Sequence, residues 1–227
     1  MLTLRQFAPA FGVPNASPYC MKLETFLRLA GISYRTVPIH DLEDAPKKKA
    51  PWVEIDGEPM GDSELIMLRL EVLHGIDLDA GLDPFRRAAG HALCTMLEER
   101  TGFAIMYARW IDEPGWTTVR DTYLSDLPPA VQDMIRDRLR DRIVKQGLGQ
   151  HSRDEIYRLA AHDIGPLAGW LGDKPYLMGE RPTRSDCAGA AFAANLLCSA
   201  FPGPLLEAAR AHPNLARYAD RMIRRVF

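Results

Sequence analysis

The sequence predicts an α/β domain over residues 1–75 followed by an all-helical domain over residues 85–227. Three observations predict it. The first 75 residues alternate strand-like and helix-like runs in the order β-α-β-β-α, residues 75–84 form an Asp/Gly-rich linker, and beyond it apolar residues recur only at helical spacing.

Each element has a local cause. Residues 2–7 are short and apolar-rich, as a buried strand is, and the loop after them ends at Ser17-Pro18. Serine caps a helix and proline suits its first turn, so a helix starts there; Cys20, Leu23, Phe26, Leu27 and Ala30 keep its period and Gly31 stops it. Residues 33–37 carry Tyr, Thr and Val and predict a second strand, parallel to the first because a helix connects them. A third strand opens at Pro51-Trp52, and Asp56-Gly57 is a two-residue hairpin signal that makes the fourth antiparallel to it. Asp62 or Ser63 then caps a helix carrying Leu65, Ile66, Leu70 and Leu73 and ending near Gly75. This is the thioredoxin-like order. Further helices are expected at 85–111, 127–145, 153–171, 183–200 and 214–226, the fourth opened by Thr183-Arg184-Ser185-Asp186, which resembles a capping box.

Composition narrows the class. At 227 residues, 47% hydrophobic and 26% charged with net charge −2, the chain can bury a core and has neither the charge excess of a nucleic-acid binder nor the polarity of a disordered segment. The four cysteines lie far apart without CxxC or metal-ligand spacing, so no metal is expected and a reducing, cytoplasmic setting is. Arg5 interrupts the N-terminus before any secretory apolar core forms. Residues 187–206 carry no charge, but they are Ala/Gly-rich and broken by Pro202-Gly203-Pro204, which reads as a buried helix rather than a membrane span.

Several motifs then coincide. Ser17-Pro18-Tyr19-Cys20 resembles the active-site turn of glutaredoxins and thiol-type transferases with serine at the reactive position. Lys49-Ala50-Pro51-Trp52-Val53 resembles a segment that carries a cis-proline, and Asp62-Ser63 is similar to an acid-serine pair that grips a γ-glutamyl group. In this order they resemble the glutathione transferase superfamily over nearly the whole chain. SPYCMKLETFLRLAGI, APWVEIDGEPMGDSELI, GLGQHSRDEIYRLA and GDKPYLMGERPTRSDCAG point to the branch that includes failed axon connections proteins and metaxins. Two residues depart from the pattern: Asp62 is a methylene shorter than the commoner glutamate, and Lys48 stands where the turn often has glycine. The sequence ends at Phe227 without a hydrophobic tail anchor of the kind metaxins use, so a mitochondrial-import role is not expected.

The resemblance implies glutathione as co-substrate, a small hydrophobic electrophile as second substrate, and a homodimer. It also distributes roles. Ser17 would orient and ionise the glutathione thiol, helped by the free N–H groups of a helix N-terminus. Lys49, Ala50, Pro51, Asp62 and Ser63 would bind the rest of glutathione, with the backbone of Ala50 pairing as a neighbouring strand would. Tyr19, Tyr107 and Trp110 are the candidates for a second-substrate pocket, although an apolar stripe is more often core. A rival reading is a glutathione-binding or scaffold protein with little turnover, and a third is thiol exchange through Cys20.

Overall fold

The computed structural model describes all 227 residues. Its first domain is a four-stranded mixed sheet of order β2-β1-β3-β4 with two helices: β1 (Leu2–Gln6), α1 (Pro18–Leu29), β2 (Tyr34–Pro38), β3 (Trp52–Ile55), β4 (Glu58–Gly61) and α2 (Ser63–His74). The expected pairings are present. β1 runs parallel to β2 from Leu2↔Tyr34 to Gln6↔Pro38 and antiparallel to β3, and β3–β4 is an antiparallel hairpin turned by Asp56-Gly57. Gly75, at φ 63°, closes α2 in the left-handed conformation that glycine adopts without steric cost.

The second domain contains α3 (Pro84–Met96), α4 (Gly102–Trp110), α5 (Glu113–Val119), α6 (Pro129–Gln146), α7 (Arg153–Leu171), α8 (Arg184–Leu196), α9 (Pro204–Arg210) and α10 (Pro213–Val226). No helix is long and apolar enough to cross a membrane. Residues 85–111, expected as one helix, are divided by a π turn at Leu97–Thr101. A π turn widens the helix and leaves carbonyls without their usual partners. Here the Tyr19 hydroxyl donates to the Glu98 carbonyl (2.6 Å) and the Gln146 side chain donates to that of Glu99 (2.6 Å). Such partners come from distant chain, so the break has no local signature.

Helices α5 and α9 were not expected. α5 contains Gly115 and two threonines, a poor helix composition, but it is fixed by packing. Trp116 is buried beneath the Arg136 guanidinium, and a methyl group at Gly115 would collide with the Ala108 carbonyl of α4, so only glycine permits this approach. α6 buries Ile143 alone and is a solvated helix, as its Arg/Asp-rich sequence suggests.

Two cores meet along α1 and α8. Leu23, Phe26 and Leu27 of α1 pack with Leu4, Val53, Ile66 and Leu70 of the sheet domain, and Cys187 of α8 reaches into that cluster. Met21, on another face of α1, belongs to the helical core instead. α1, with nine of its twelve residues buried, is thus held on two sides, which fixes the turn at its N-terminus against both domains.

Candidate active site

Strand register assembles the site. Arg5 of β1 lies opposite Trp52 of β3, and Trp52 lies opposite Gly61 of β4, so the C-terminal ends of β1 and β4 flank the N-terminal end of β3. The segments that leave or enter the sheet there carry Ser17, Ala50-Pro51 and Asp62-Ser63 respectively. Residues distant in sequence are in this way collected at one edge, two strand spacings or about 10 Å across.

At the β1 exit, Asn15 shapes the turn: its amide donates to the Phe7 carbonyl (2.7 Å) and its oxygen accepts the Ser17 N–H (2.9 Å). Ser17 caps α1, its Oγ accepting the Cys20 N–H at 3.3 Å. The hydroxyl proton is left to donate outwards. Of the helix N–H groups, that of Ser17 is taken by Asn15, Pro18 has none and that of Cys20 is taken by Ser17, which leaves Tyr19 N–H for an incoming anion. Cys20 is fully buried and burial pushes its thiol up to about 12.

The Ala50–Pro51 peptide bond is cis, and neither the N–H nor the carbonyl of Ala50 is bonded within the chain. Lys47 and Lys48, in the turn before it, have φ of 59° and 52°, the region that favours glycine. Lys49 is exposed, and Lys48 Nζ is turned back onto the Glu43 carbonyl. Across the sheet edge Asp62 adopts φ 87°, a strained value for a non-glycine residue, and its Oδ1 accepts the N–H groups of Glu64 (3.1 Å) and Leu65 (3.2 Å). Ser63 is buried as the first residue of α2, while Asp62 Oδ2 keeps its full acceptor capacity.

Residues 18–115 match a glutathione S-transferase N-terminal domain and residues 160–222 a glutathione S-transferase C-terminal domain. An isoprene-epoxide glutathione S-transferase of Rhodococcus sp. (strain AD45) is 32% identical over 191 residues, 80% of each chain. The chain belongs to the glutathione S-transferase superfamily. The failed axon connections protein of Drosophila melanogaster is 29% identical over 98% of this chain and 57% of its own length. Among solved structures, a glutathione S-transferase from Methylobacterium radiotolerans in complex with glutathione sulfonate superposes with a TM-score of 0.62 at 20% identity, covering 97% of this chain and 89% of that one.

In this superfamily member the three aromatic candidates for a second-substrate pocket are differently placed. Tyr19 is turned into the seam between the domains, its hydroxyl spent on the Glu98 carbonyl and its ring edge-on to Phe192 at 5.6 Å. It packs the interface between the domains. Tyr107 faces α7, 6.0 Å from the ring of Tyr157. Trp110 is half-buried, about 100° round α4 from Arg109, the residue that touches the Ser17 turn. The aromatic group beside that turn is another one: Phe11 of the β1–α1 loop, with Phe201 at 4.8 Å and Tyr123 at 5.5 Å. Its members are 78 or more positions apart from Phe201, so no spacing rule collects them.

Sequence reasoning also passed over a buried charge network. Lys22 is 1% exposed and bonds Glu64 (2.7 Å) and Glu98 (2.6 Å), while Arg184 pairs with Glu64 (2.8 Å) and Glu71 (2.7 Å). The network ties the residue after Ser63 to α1, the π turn and α8. Lys22 has no local signal, because lysine in a helix normally reaches water. No group of three or more His, Cys, Asp or Glu side chains is placed to hold a metal ion.

Proposed function

We propose that this protein binds reduced glutathione across the sheet edge and conjugates it to, or reduces with it, a small apolar electrophile. The observation that carries the reading is the gathering of Ser17, Ala50-Pro51 and Asp62-Ser63 at one end of the sheet, with donors and acceptors unspent at each. The span of about 10 Å suits a three-residue extended ligand, at ~3.4 Å per residue. Ala50 would pair with its middle residue as an added strand does. Asp62 Oδ2 would take the ammonium of the γ-glutamyl end and the α2 N-terminus its carboxylate.

The sulfur would then rest at Ser17. A free thiol with a pKa near 8.5 is only about 3% ionised at pH 7. The Ser17 O–H, the Tyr19 N–H and the positive end of α1 favour the thiolate, whose proton passes to solvent water rather than to Ser17. The thiolate forms the sulfur–carbon bond while the electron pair departs with the displaced group. The relative from Rhodococcus supports a transferase reading at the level of the family.

Calorimetric titration with glutathione and turnover of a model aryl halide test the proposal together. Binding with turnover supports it, whereas binding without turnover favours the scaffold reading. Asp62→Ala and Ser63→Ala are each expected to weaken glutathione binding by about 1 kcal/mol, roughly fivefold. Unchanged affinity in both would remove the β4–α2 corner from the site.

A homodimer in the cytoplasm is part of the same proposal. Leu65, Leu68, Val72 and Leu73 are 44–78% exposed on α2 and, at i, i+3, i+7 and i+8, share one face. Sedimentation should find a dimer, and Leu68→Glu should shift it to monomer; a monomeric wild type contradicts this part alone.

A further inference from the structure

Arg109 is the single charged residue in Gly102–Trp110, the α4 segment, and it is buried, 5% exposed. No carboxylate pairs with it. Its Nη1 donates to the Ala16 carbonyl (2.5 Å) and to Asn195 Oδ1 (2.9 Å), its Nη2 donates to the Asn195 carbonyl (2.8 Å), and the guanidinium lies 4.3 Å from the centroid of Phe201. Asn195 in turn donates to the Asn15 carbonyl (3.2 Å) and to the Ala191 carbonyl (2.9 Å). Asn15 is fully buried and holds the Ser17 N–H. A chain of three buried polar side chains thus runs from the helical domain to the Ser17 turn.

A buried cation without a counter-charge is costly, and an apolar residue of similar volume would pack there without that cost. Burial lowers the guanidinium to about 10, which leaves it protonated at neutral pH. The titratable groups facing it are Cys198 and Tyr123, a thiol and a phenol rather than a carboxylate counter-ion. Around the Ser17 turn, Cys20 is buried and Glu24 is engaged by Gln6, Arg28 and Tyr34. Asp62 is the carboxylate of the opposite corner. The peptide that Arg109 grips, Ala16, is the one that immediately precedes Ser17.

We propose that Arg109, held by Asn195, is a positioning residue that fixes the Ala16–Ser17 peptide and places a standing positive charge behind the sulfur site, so that the field of the helical domain favours glutathione thiolate at Ser17. The proposal rests on the glutathione reading above and adds to it the source of the charge. The seam between the domains, rather than the first domain alone, then sets the ionisation of the bound thiol.

The test reads the thiol directly. Bound thiolate is titrated by its ultraviolet absorbance, alongside the pH profile of kcat/KM with an aryl halide, in wild type, Arg109→Gln, Arg109→Met and Arg109→Lys. Both neutral variants are expected to raise the midpoint by about half a unit or more, since an opposite charge close by shifts a pKa by ~1–3 units and this one is a peptide away. Gln keeps a donor for the Ala16 carbonyl and Met fills the volume, so a folding failure in one leaves the other. Arg109→Lys should hold the midpoint near that of wild type while lowering kcat, because it keeps the charge and loses the fork. A neutral variant that melts and binds glutathione like wild type with an unmoved midpoint overturns the proposal, as does a lysine variant shifted as far as the neutral ones. A wild type that fails to bind glutathione overturns the functional reading, and this proposal with it.

Discussion

Asp186→Ala is expected to lower stability by about 3–5 kcal/mol, the range for stripping one partner from a buried charged network. Asp186 is fully buried at the start of α8, and four donors converge on it. Oδ1 accepts the Leu177 N–H (2.9 Å) and the Tyr218 hydroxyl (2.8 Å), and Oδ2 accepts the Thr183 N–H (2.8 Å) and its hydroxyl (2.9 Å). Alanine would orphan all four inside the core and uncouple α8 from α10 and from the 172–183 connection. For a chain of this size each kcal/mol moves the melting temperature by roughly 2–4 °C, so a fall of about 6–20 °C is expected in a thermal melt followed by circular dichroism. Asp186→Asn, which turns an amide donor towards two of these donors, should fall nearly as far. A melt within about 2 °C of wild type would mean that the four bonds are replaceable by water.

Ser17→Ala is expected to lower turnover with an aryl halide at least tenfold at neutral pH, about 1.4 kcal/mol, and to raise the midpoint of the pH profile. The direction follows from the donor that is lost. A hydroxyl that stabilises the thiolate lowers the thiol pKa, so removing it moves ionisation to higher pH and reduces the thiolate present at pH 7. Cys20→Ser should stay within about threefold of wild type, because burial pushes the Cys20 thiol up to about 12 and so keeps it protonated at pH 7. Ser17 also caps α1, so the alanine variant loses about 1 kcal/mol of stability and is best assayed well below its melt. Ser17→Cys should introduce disulfide exchange, since it places a second thiol one turn from Cys20 at the open end of the helix. Loss of activity in Cys20→Ser with Ser17→Ala unaffected would transfer the working role to Cys20.

The sequence by itself determined the elements whose causes are local. Ser17-Pro18 starts α1, Asp56-Gly57 turns the β3–β4 hairpin, Asp62 caps α2, Gly75 ends it and Asp186 bonds back to the Thr183 N–H; each is an interaction across a few residues, written in adjacent letters. The β-α-β-β-α order followed from them, and with it the meeting of Ser17, Pro51 and Asp62-Ser63 at one sheet edge. The tertiary structure alone decided what depends on distant partners. Tyr19 packs the domain seam because the π turn 79 residues away exposes a carbonyl to it. Lys22 is buried because Glu64 and Glu98, 42 and 76 residues away, neutralise it there. Arg109 and Asn195 left a faint trace, as the lone cation and the lone amide of two otherwise apolar helical stretches, but nothing local says that they bond to each other across 86 residues or that Ala16 lies beside them. A buried polar side chain costs free energy until its partner is found, and that partner is supplied by the packing of α4 and α8 against the β1–α1 loop.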